Sequence, residues 1–350
     1  MRFNGIYQYN FPTLIRFGAG AVKELPGYLK QNQLEHPLLV TDPTIAGLPF
    51  FKSIAEELQR QHISPEVFSG IHKNPVKSDV YQGTEVYDRT RRDAVVGIGG
   101  GAALDVARAI TLRVNHREDL FKYDDLAGGE VYITNDVPHF ITIPTTAGTG
   151  SEVGRSAIIA DDITHRKKIL FSPKLLAKIV FADPLLTMDL PAFVTAATGM
   201  DALTHNMEAF IAKMEHPICE GIALEGMRMI ARSLEKAVNR PDLDARSEML
   251  LASLMGAVAF QKGLGVVHSL AHPLSSLLDT HHGLANAVNL PYGMAFNREG
   301  CEEKFMRMGA ALQLKGNQDL IPYLQELNGR IGIPGRLRDI GVKEEHIEIL

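Results

Sequence analysis

The chain has 350 residues, 45% hydrophobic and 22% charged, with a formal net charge of -5. That length exceeds the usual size of one hydrophobic core and predicts two domains of a soluble globular protein. The charge offers no basic footprint for nucleic acid. No run of about 18 apolar residues suggests a membrane span, and no basic flank joined to an apolar segment marks a leader, so a cytoplasmic protein with neither partner is expected.

Short β-branched runs alternate with helical stretches up to about residue 185, the rhythm of a parallel α/β sheet. Pro37-Leu38-Leu39-Val40-Thr41 reads as a strand, residues 51–61 as a helix, and Ala94-Val95-Val96-Gly97-Ile98 as a second strand. Phe140-Ile141-Thr142-Ile143-Pro144 and Ile179-Val180-Phe181-Ala182 add two more, each ending in polar or turn residues as buried parallel strands do. Asp42, just past the first strand, has two readings. It can accept hydrogen bonds from ribose hydroxyls and repel a 2′-phosphate, favouring NAD over NADP, or it can cap a helix at an Asp-Pro turn.

Gly97-Ile98-Gly99-Gly100-Gly101-Ala102-Ala103-Leu104-Asp105 follows a strand and opens a helix. Consecutive glycines let backbone N–H groups and the helix dipole meet a diphosphate closely; a ligand-free glycine turn is the plainer alternative. Pro144-Thr145-Thr146-Ala147-Gly148-Thr149-Gly150-Ser151-Glu152 brings hydroxyls, Ser151 included, and flexible backbone to another strand end, a segment suited to wrapping a dinucleotide. The expected division is therefore 1–185, an α/β dinucleotide-binding domain, and 186–350, a helical metal-binding and catalytic domain.

In the second part, residues 191–213, 217–238 and 244–262 carry apolar side chains at helical spacing, with Asp189, Pro191 and Asp244 near their starts. Asp201 and His205 are four residues apart, about 400° of helical turn, and so share one face. His268 and His282 supply two more imidazoles from distant segments. One carboxylate and three neutral imidazoles suit Fe²⁺ or Zn²⁺, whereas Mg²⁺ and Ca²⁺ need more oxygen. Cys219 and Cys301 are too far apart for a thiolate zinc motif or a disulfide framework, and both read as buried spectators.

The combination of Gly99-Gly100-Gly101, Pro144 through Glu152, Gly199-Met200-Asp201-Ala202-Leu203-Thr204-His205 and His268-Ser269-Leu270-Ala271-His272-Pro273 with His282-Gly283 resembles the iron-containing (group III) alcohol dehydrogenases. The resemblance runs from about Phe17 to Leu350. It implies the dehydroquinate synthase-like fold of that family: an α/β N-terminal nucleotide-binding domain and an all-α C-terminal domain, with the active site in the cleft between them. It implies a metal set of Asp201, His205, His268 and His282, and it places His272 near nicotinamide and substrate. Asp42 matches the family's acidic NAD-selecting position and Asn74 a contact near the cofactor. Gly100 and Gly101 match the diphosphate loop, Thr145 and Thr146 the hydroxyls flanking the nucleotide, and Lys168 a lysine reaching the ribose. A basic surface turn is the plainer reading of Arg166-Lys167-Lys168.

Two departures stand out. Ala102-Ala103 replaces the Ser-Pro of many relatives, removing a hydroxyl from the diphosphate loop while leaving backbone binding intact. The chain ends at Glu348-Ile349-Leu350, where relatives continue for about a helix or more, and that loss would expose apolar residues.

The implied activity is interconversion of a small alcohol or diol and its aldehyde or ketone by hydride transfer to or from NAD, with Fe²⁺, or Zn²⁺ in its place, polarising the alcohol oxygen. His272 is the candidate proton relay, since imidazole titrates near neutral pH. The family also implies a homo-oligomer. The alternatives are glycerol dehydrogenase or dehydroquinate synthase-like lyase chemistry, a metallohydrolase whose glycine loop holds a phosphate, and a metal-stabilised scaffold. A lyase would need several basic groups for its substrate, whereas 260–272 is mostly apolar with only Lys262; this favours a small neutral alcohol. The complete Asp-and-His set argues against the maleylacetate reductases of the same superfamily.

Overall fold

The computed structural model describes residues 7–9, 13–315 and 319–347; Glu348, Ile349 and Leu350, the chain end singled out above, lie outside them. The chain divides into two compact units, one running through Thr145 and resuming over Ser151–Leu186, the other containing Thr146–Gly150 and continuing from Thr187. The glycine- and threonine-rich segment that the sequence assigns to the first domain is thus split, its middle packing with the second.

The α/β unit contains strands β1 (Tyr7–Tyr9), β2 (Leu14–Phe17), β3 (Pro37–Val40), β4 (Glu66–Phe68), β5 (Ala94–Gly99), β6 (His139–Pro144), β7 (Ser156–Ala160), β8 (Lys167–Phe171) and β9 (Ile179–Ala182). Its helices are α1 (Leu25–Gln31), α2 (Pro43–Gly47), α3 (Pro49–Arg60), α4 (Lys77–Arg89) and α5 (Gly101–Asn115). Seven strands form one sheet in the order β1-β2-β9-β6-β5-β3-β4, parallel except for β1, and β7 with β8 makes a separate antiparallel hairpin. The central strands are buried on both faces, and alternation sorts their side chains. Leu38, Val40, Val95 and Phe140 enter one core with Val106, Ala107 and Ile110 of α5. Leu39, Val96, Ile98, Ile141 and Ile143 enter the other with Leu25 of α1 and Leu58 of α3.

A polar knot ties α5 to the hairpin. Arg108 is fully buried, and its Nη1 donates to Asp105 Oδ1 at 3.1 Å, Ser151 Oγ at 2.9 Å and the Ser156 carbonyl at 2.7 Å. Ser151 Oγ donates to Asp105 Oδ1 at 2.6 Å, and the Ile158 N–H donates to Asp105 Oδ2 at 3.0 Å. The hydroxyl of Ser151, expected at the cofactor, is therefore engaged inside the protein.

The helical unit contains α6 (Ala192–Ile211), α7 (Pro217–Asn239), α8 (Leu243–Ala259), α9 (Val266–Leu278), α10 (His282–Phe296), α11 (Glu302–Ala311) and α12 (Leu320–Arg330). This is the α/β unit and helical unit that the sequence predicts. Asp242 caps α8, accepting from the Ala245 N–H at 2.9 Å, and Asp244 falls in the first turn, near the helix start as expected. From Thr195 to Phe210, α6 is buried on every side, as a helix at the centre of a bundle must be. Both cysteines are free thiols, Cys219 buried and Cys301 half-buried. Among the described residues no single helix is long and apolar enough to cross a membrane.

Glu152 yields a pH-dependent stability. Burial raises its carboxyl group to about 7, only partly opposed by its own backbone N–H and by the charge of Arg108, and its Oε1 finds no hydrogen-bond partner. Because the folded form holds this proton more tightly than the unfolded chain, the contribution is complete below about pH 4.5 and is lost as pH rises through about 7. Glu152→Gln is expected to flatten the rise in unfolding free energy that this carboxyl contributes between about pH 7 and 5, an effect on the order of 2 kcal/mol. Urea titrations of both proteins across that range check it.

Candidate functional site

Asp201 and His205 project from the middle of α6, and both are almost wholly buried. With His268 of α9 they form a group whose ligating atoms all lie within 4.8 Å of one another. His205 Nε2 and His268 Nε2 are 2.9 Å apart, and His282 Nε2 at the start of α10 is 3.8 Å from Asp201 Oδ1. Donors about 2.1 Å from a tetrahedral ion stand about 3.4 Å from each other. The observed spacings bracket that value, and nitrogen-rich donors with one carboxylate are the chemistry of a first-row transition ion. The residues fit the metal that the resemblance implies.

Electrostatics point the same way. Burial, partly offset by Asp201, pushes His205 down to about 4, so its imidazole is neutral at physiological pH, the form that binds metal. Burial alone would raise Asp201, but His205, His282, His268 and the Asn286 amide together bring it below its ordinary value. An ionised carboxylate is therefore kept beside the neutral His205 imidazole.

Two residues at this centre escaped the sequence reading. Asn286 is fully buried; its Nδ2 donates to Asp201 Oδ1 at 2.6 Å and lies 3.2 Å from His268 Nε2 and 3.1 Å from His282 Nε2, while its Oδ1 has no partner. Glu208, also buried, accepts from the Val267 N–H at 2.7 Å and touches His268 Nδ1 at 2.6 Å. Both were detectable in principle. Glu208 follows Asp201 and His205 at the seventh and third positions, and Asn286 follows His282 at the fourth, each on the face its predecessor defines.

His272 is half-buried, its ring centroid 5.3 Å from that of His282 and 6.2 Å from that of His268. His281 caps α10, its Nδ1 accepting from the Leu284 N–H at 3.4 Å. Phe260 lies against His205 with centroids 5.2 Å apart. Lys262 is buried, its ammonium donating to the Phe210 carbonyl at 2.9 Å and to Glu220 at 2.8 Å.

In the α/β unit, Gly99 ends β5 at φ +153°, and a Cβ there would come within 2.7 Å of Ala103 Cβ. Glycine is required for that backbone and that approach. Gly100 caps α5 and Gly101 begins it, so free N–H groups gather at this helix start. Asp42 does what its plainer reading says, capping α2 by accepting from the Ile45 N–H at 2.9 Å. Its Oδ2 nevertheless faces the glycine loop, 3.8 Å from where a Gly99 Cβ would stand. Thr145 is buried beside this loop, its N–H donating to the Gly99 carbonyl at 3.0 Å while its Oγ1 has no partner. Asn74 is half-buried in the loop before α4. Thr146 is half-buried but belongs to the helical unit. Lys168 lies on β8, not in a surface turn, and its Nζ donates to buried Asp124 at 2.8 Å.

The sequence model of the family described as "Iron-containing alcohol dehydrogenase" matches residues 12–184, and that of the "Fe-containing alcohol dehydrogenase family, C-terminal" matches residues 195–350. A 4-hydroxybutyrate dehydrogenase of Cupriavidus necator is 37% identical over 343 residues, covering 95% of this chain and 89% of its own. An NAD-dependent methanol dehydrogenase of Bacillus methanolicus is 34% identical, covering 97% of this chain and 91% of its own. The crystal structure of a 1,3-propanediol oxidoreductase superposes with a TM-score of 0.91 at 34% identity, covering 98% of this chain and 90% of that one.

The close approach of α10 to α6 can be tested at Gly283, where a Cβ would come within 2.5 Å of the Ala197 carbonyl and 3.2 Å of Asp201 Cβ. Gly283→Ala is expected to destabilise the protein by about 1–3 kcal/mol through overpacking. Gly221→Ala on α7, where nothing lies within 4 Å, is expected to stabilise it by about 0.4–1 kcal/mol. Paired urea unfolding midpoints moving in opposite directions would establish the contrast.

Proposed function

The chain belongs to the iron-containing alcohol dehydrogenase family, and on that premise we propose that Asp201, His205, His268 and His282 hold Fe²⁺, or Zn²⁺ in its place, for NAD-linked oxidation of a short neutral alcohol or diol. Membership makes it an oxidoreductase acting between an alcohol and its aldehyde or ketone. The observation that carries the metal reading is the convergence of Asp201 and His205 of α6 with His268 of α9 onto one point.

A divalent ion bound there would supply Lewis acidity toward a substrate hydroxyl, and NAD would supply the hydride acceptor. The chain's own groups do the rest. Burial keeps His205 neutral so that its nitrogen is a donor rather than a competing cation. His272, less buried than His205 or His268, takes the hydroxyl proton on a ring nitrogen and returns it to solvent, or runs the reverse during reduction. Phe260 provides an apolar wall beside His205. On the nucleotide side, the N–H groups at the start of α5 receive the diphosphate, and the Asp42 carboxylate accepts from the ribose and disfavours a 2′-phosphate. Asn74, Thr145 and Thr146 would flank the nucleotide. Lys168 reaches it only by leaving Asp124, and Ser151 only by leaving Asp105.

The preference for a neutral substrate is supported by Lys262. It is the lysine of the 260–272 stretch, and its ammonium is committed to Phe210 and Glu220. A lyase binding phosphate or carboxylate groups would need cations there. We further infer a soluble cytoplasmic enzyme assembled from copies of this chain, without nucleic-acid or membrane partners, on the strength of composition and family.

Metal-depleted protein, reloaded anaerobically with Fe²⁺ or Zn²⁺, is expected to oxidise short alkanols and diols with NAD⁺ in preference to NADP⁺, and to lose that activity with a chelator. Full activity of chelated protein, or inactivity toward every alcohol despite bound metal and NADH, would refute the reading. His272→Gln is expected to lower kcat about 10²- to 10⁴-fold and to change the pH dependence of kcat. An unaltered pH profile would assign the proton transfer elsewhere.

A further inference from the structure

Glu208 extends the polar stripe of α6 by one turn beyond His205, within a helix buried on all sides. Its contacts run to the first turn of α9: Oε1 accepts from the Val267 N–H at 2.7 Å, and Oε2 lies 2.6 Å from His268 Nδ1 and 3.4 Å from the His268 N–H. Helix α9 has no side-chain cap of its own, since Gly265 occupies its N-cap position. A Cβ on Gly265 would stand 2.9 Å from Glu208 Oε1. The backbone entering α9 therefore passes directly against this carboxylate.

We propose that Glu208 is a positioning residue for the metal centre, holding His268 in the tautomer with its proton on Nδ1 so that Nε2 presents a lone pair to the ion. A neutral imidazole carries one N–H, and a carboxylate only accepts. At 2.6 Å the proton must therefore lie on Nδ1. The opposite tautomer would oppose two acceptors across that contact and aim an N–H from Nε2 at His205 Nε2, 2.9 Å away, where a ligand needs an open lone pair. The same carboxylate caps α9, so the ring's tautomer and the position of the helix bearing it are set together. Carboxylates that orient metal-bound histidines in this way have a general energetic role. The role assigned here rests on the reading that Asp201, His205, His268 and His282 bind a divalent ion.

Glu208→Gln leaves one acceptor oxygen for donors that include the Val267 N–H and His268 Nδ1–H. If the oxygen stays on Val267, the amide NH₂ faces Nδ1 and selects the wrong tautomer. Two measurements test this. Long-range ¹H–¹⁵N spectra of metal-free protein, with His268 identified by its loss in His268→Gln, report the tautomer. Co²⁺ titration followed by visible absorption, with Zn²⁺ competition, reports affinity. The parent is expected to show His268 protonated on Nδ1, and Glu208→Gln to show the proton moved to Nε2 and Co²⁺ affinity weakened roughly 10- to 100-fold. Gly265→Ala, which keeps the charge but displaces the carboxylate, is expected to shift both readouts in the same direction and carries the test if Glu208→Gln does not fold. A variant that melts lower but keeps the parent tautomer and the parent Co²⁺ affinity would reduce Glu208 to a helix cap and overturn the proposal. A parent that takes up no Co²⁺ would overturn the metal reading and this role with it; the tautomer spectra, which need no metal, tell that failure from the first.

Discussion

A helix buried on every side can carry Asp201, His205 and Glu208 only if its neighbours bring partners to all three, because a buried polar group left unpaired costs about 1–3 kcal/mol and a charged one more. That demand organises the helical unit. Helix α9 presents its first N–H groups and His268 to Glu208, and α10 presents Asn286 and His282 to Asp201. Gly283 lets α10 come close enough to do so. Around this stripe the packing is apolar, with Met200, Leu203, Met207 and Phe210 of α6 in the largest core of the unit. The polar centre thus determines which helices meet, and the apolar shell keeps water from relieving the demand by another route.

The α/β unit solves a different problem. Its central strands are covered on both faces, so the places where ligands can approach backbone are strand ends. At the end of β5, Gly99 and the small side chain of Ala103 allow the chain to turn into α5 with its first N–H groups open. Ala102 and Ala103 follow in the first turn of α5. Asp42 is engaged by one oxygen and available by the other, so the helix-cap and ribose-acceptor readings are compatible rather than competing. Ser151 illustrates the opposite outcome: a hydroxyl in a segment suited to a dinucleotide is consumed by the buried Asp105–Arg108 pair.

Legibility followed burial and length. Strands β3, β5, β6 and β9 stand out in the sequence as apolar runs because both of their faces are covered, and α6, α7 and α8 because their apolar stretches are far too long for a strand. The three-residue β1 and β4 are too short for a pattern, and β2, β7 and β8, though at least as long as β3 and β9, are only partly buried, so no fully apolar run marks them.

The sequence by itself determined that Asp201 and His205 lie on one helical face, since 3.6 residues per turn leaves no other arrangement, and that glycines at 99–101 open a helix after a strand. It also carried the family, through several motifs in a fixed order. Only the tertiary structure decided that His268 reaches the same point as that pair, that Glu208 and Asn286 hold the imidazoles and carboxylate in place, and that Lys262, Lys168 and Ser151 are paired with protein groups. The reason is physical: helical periodicity relates residues a turn apart, whereas contacts between residues sixty or eighty positions apart depend on how whole helices pack, which no local pattern records.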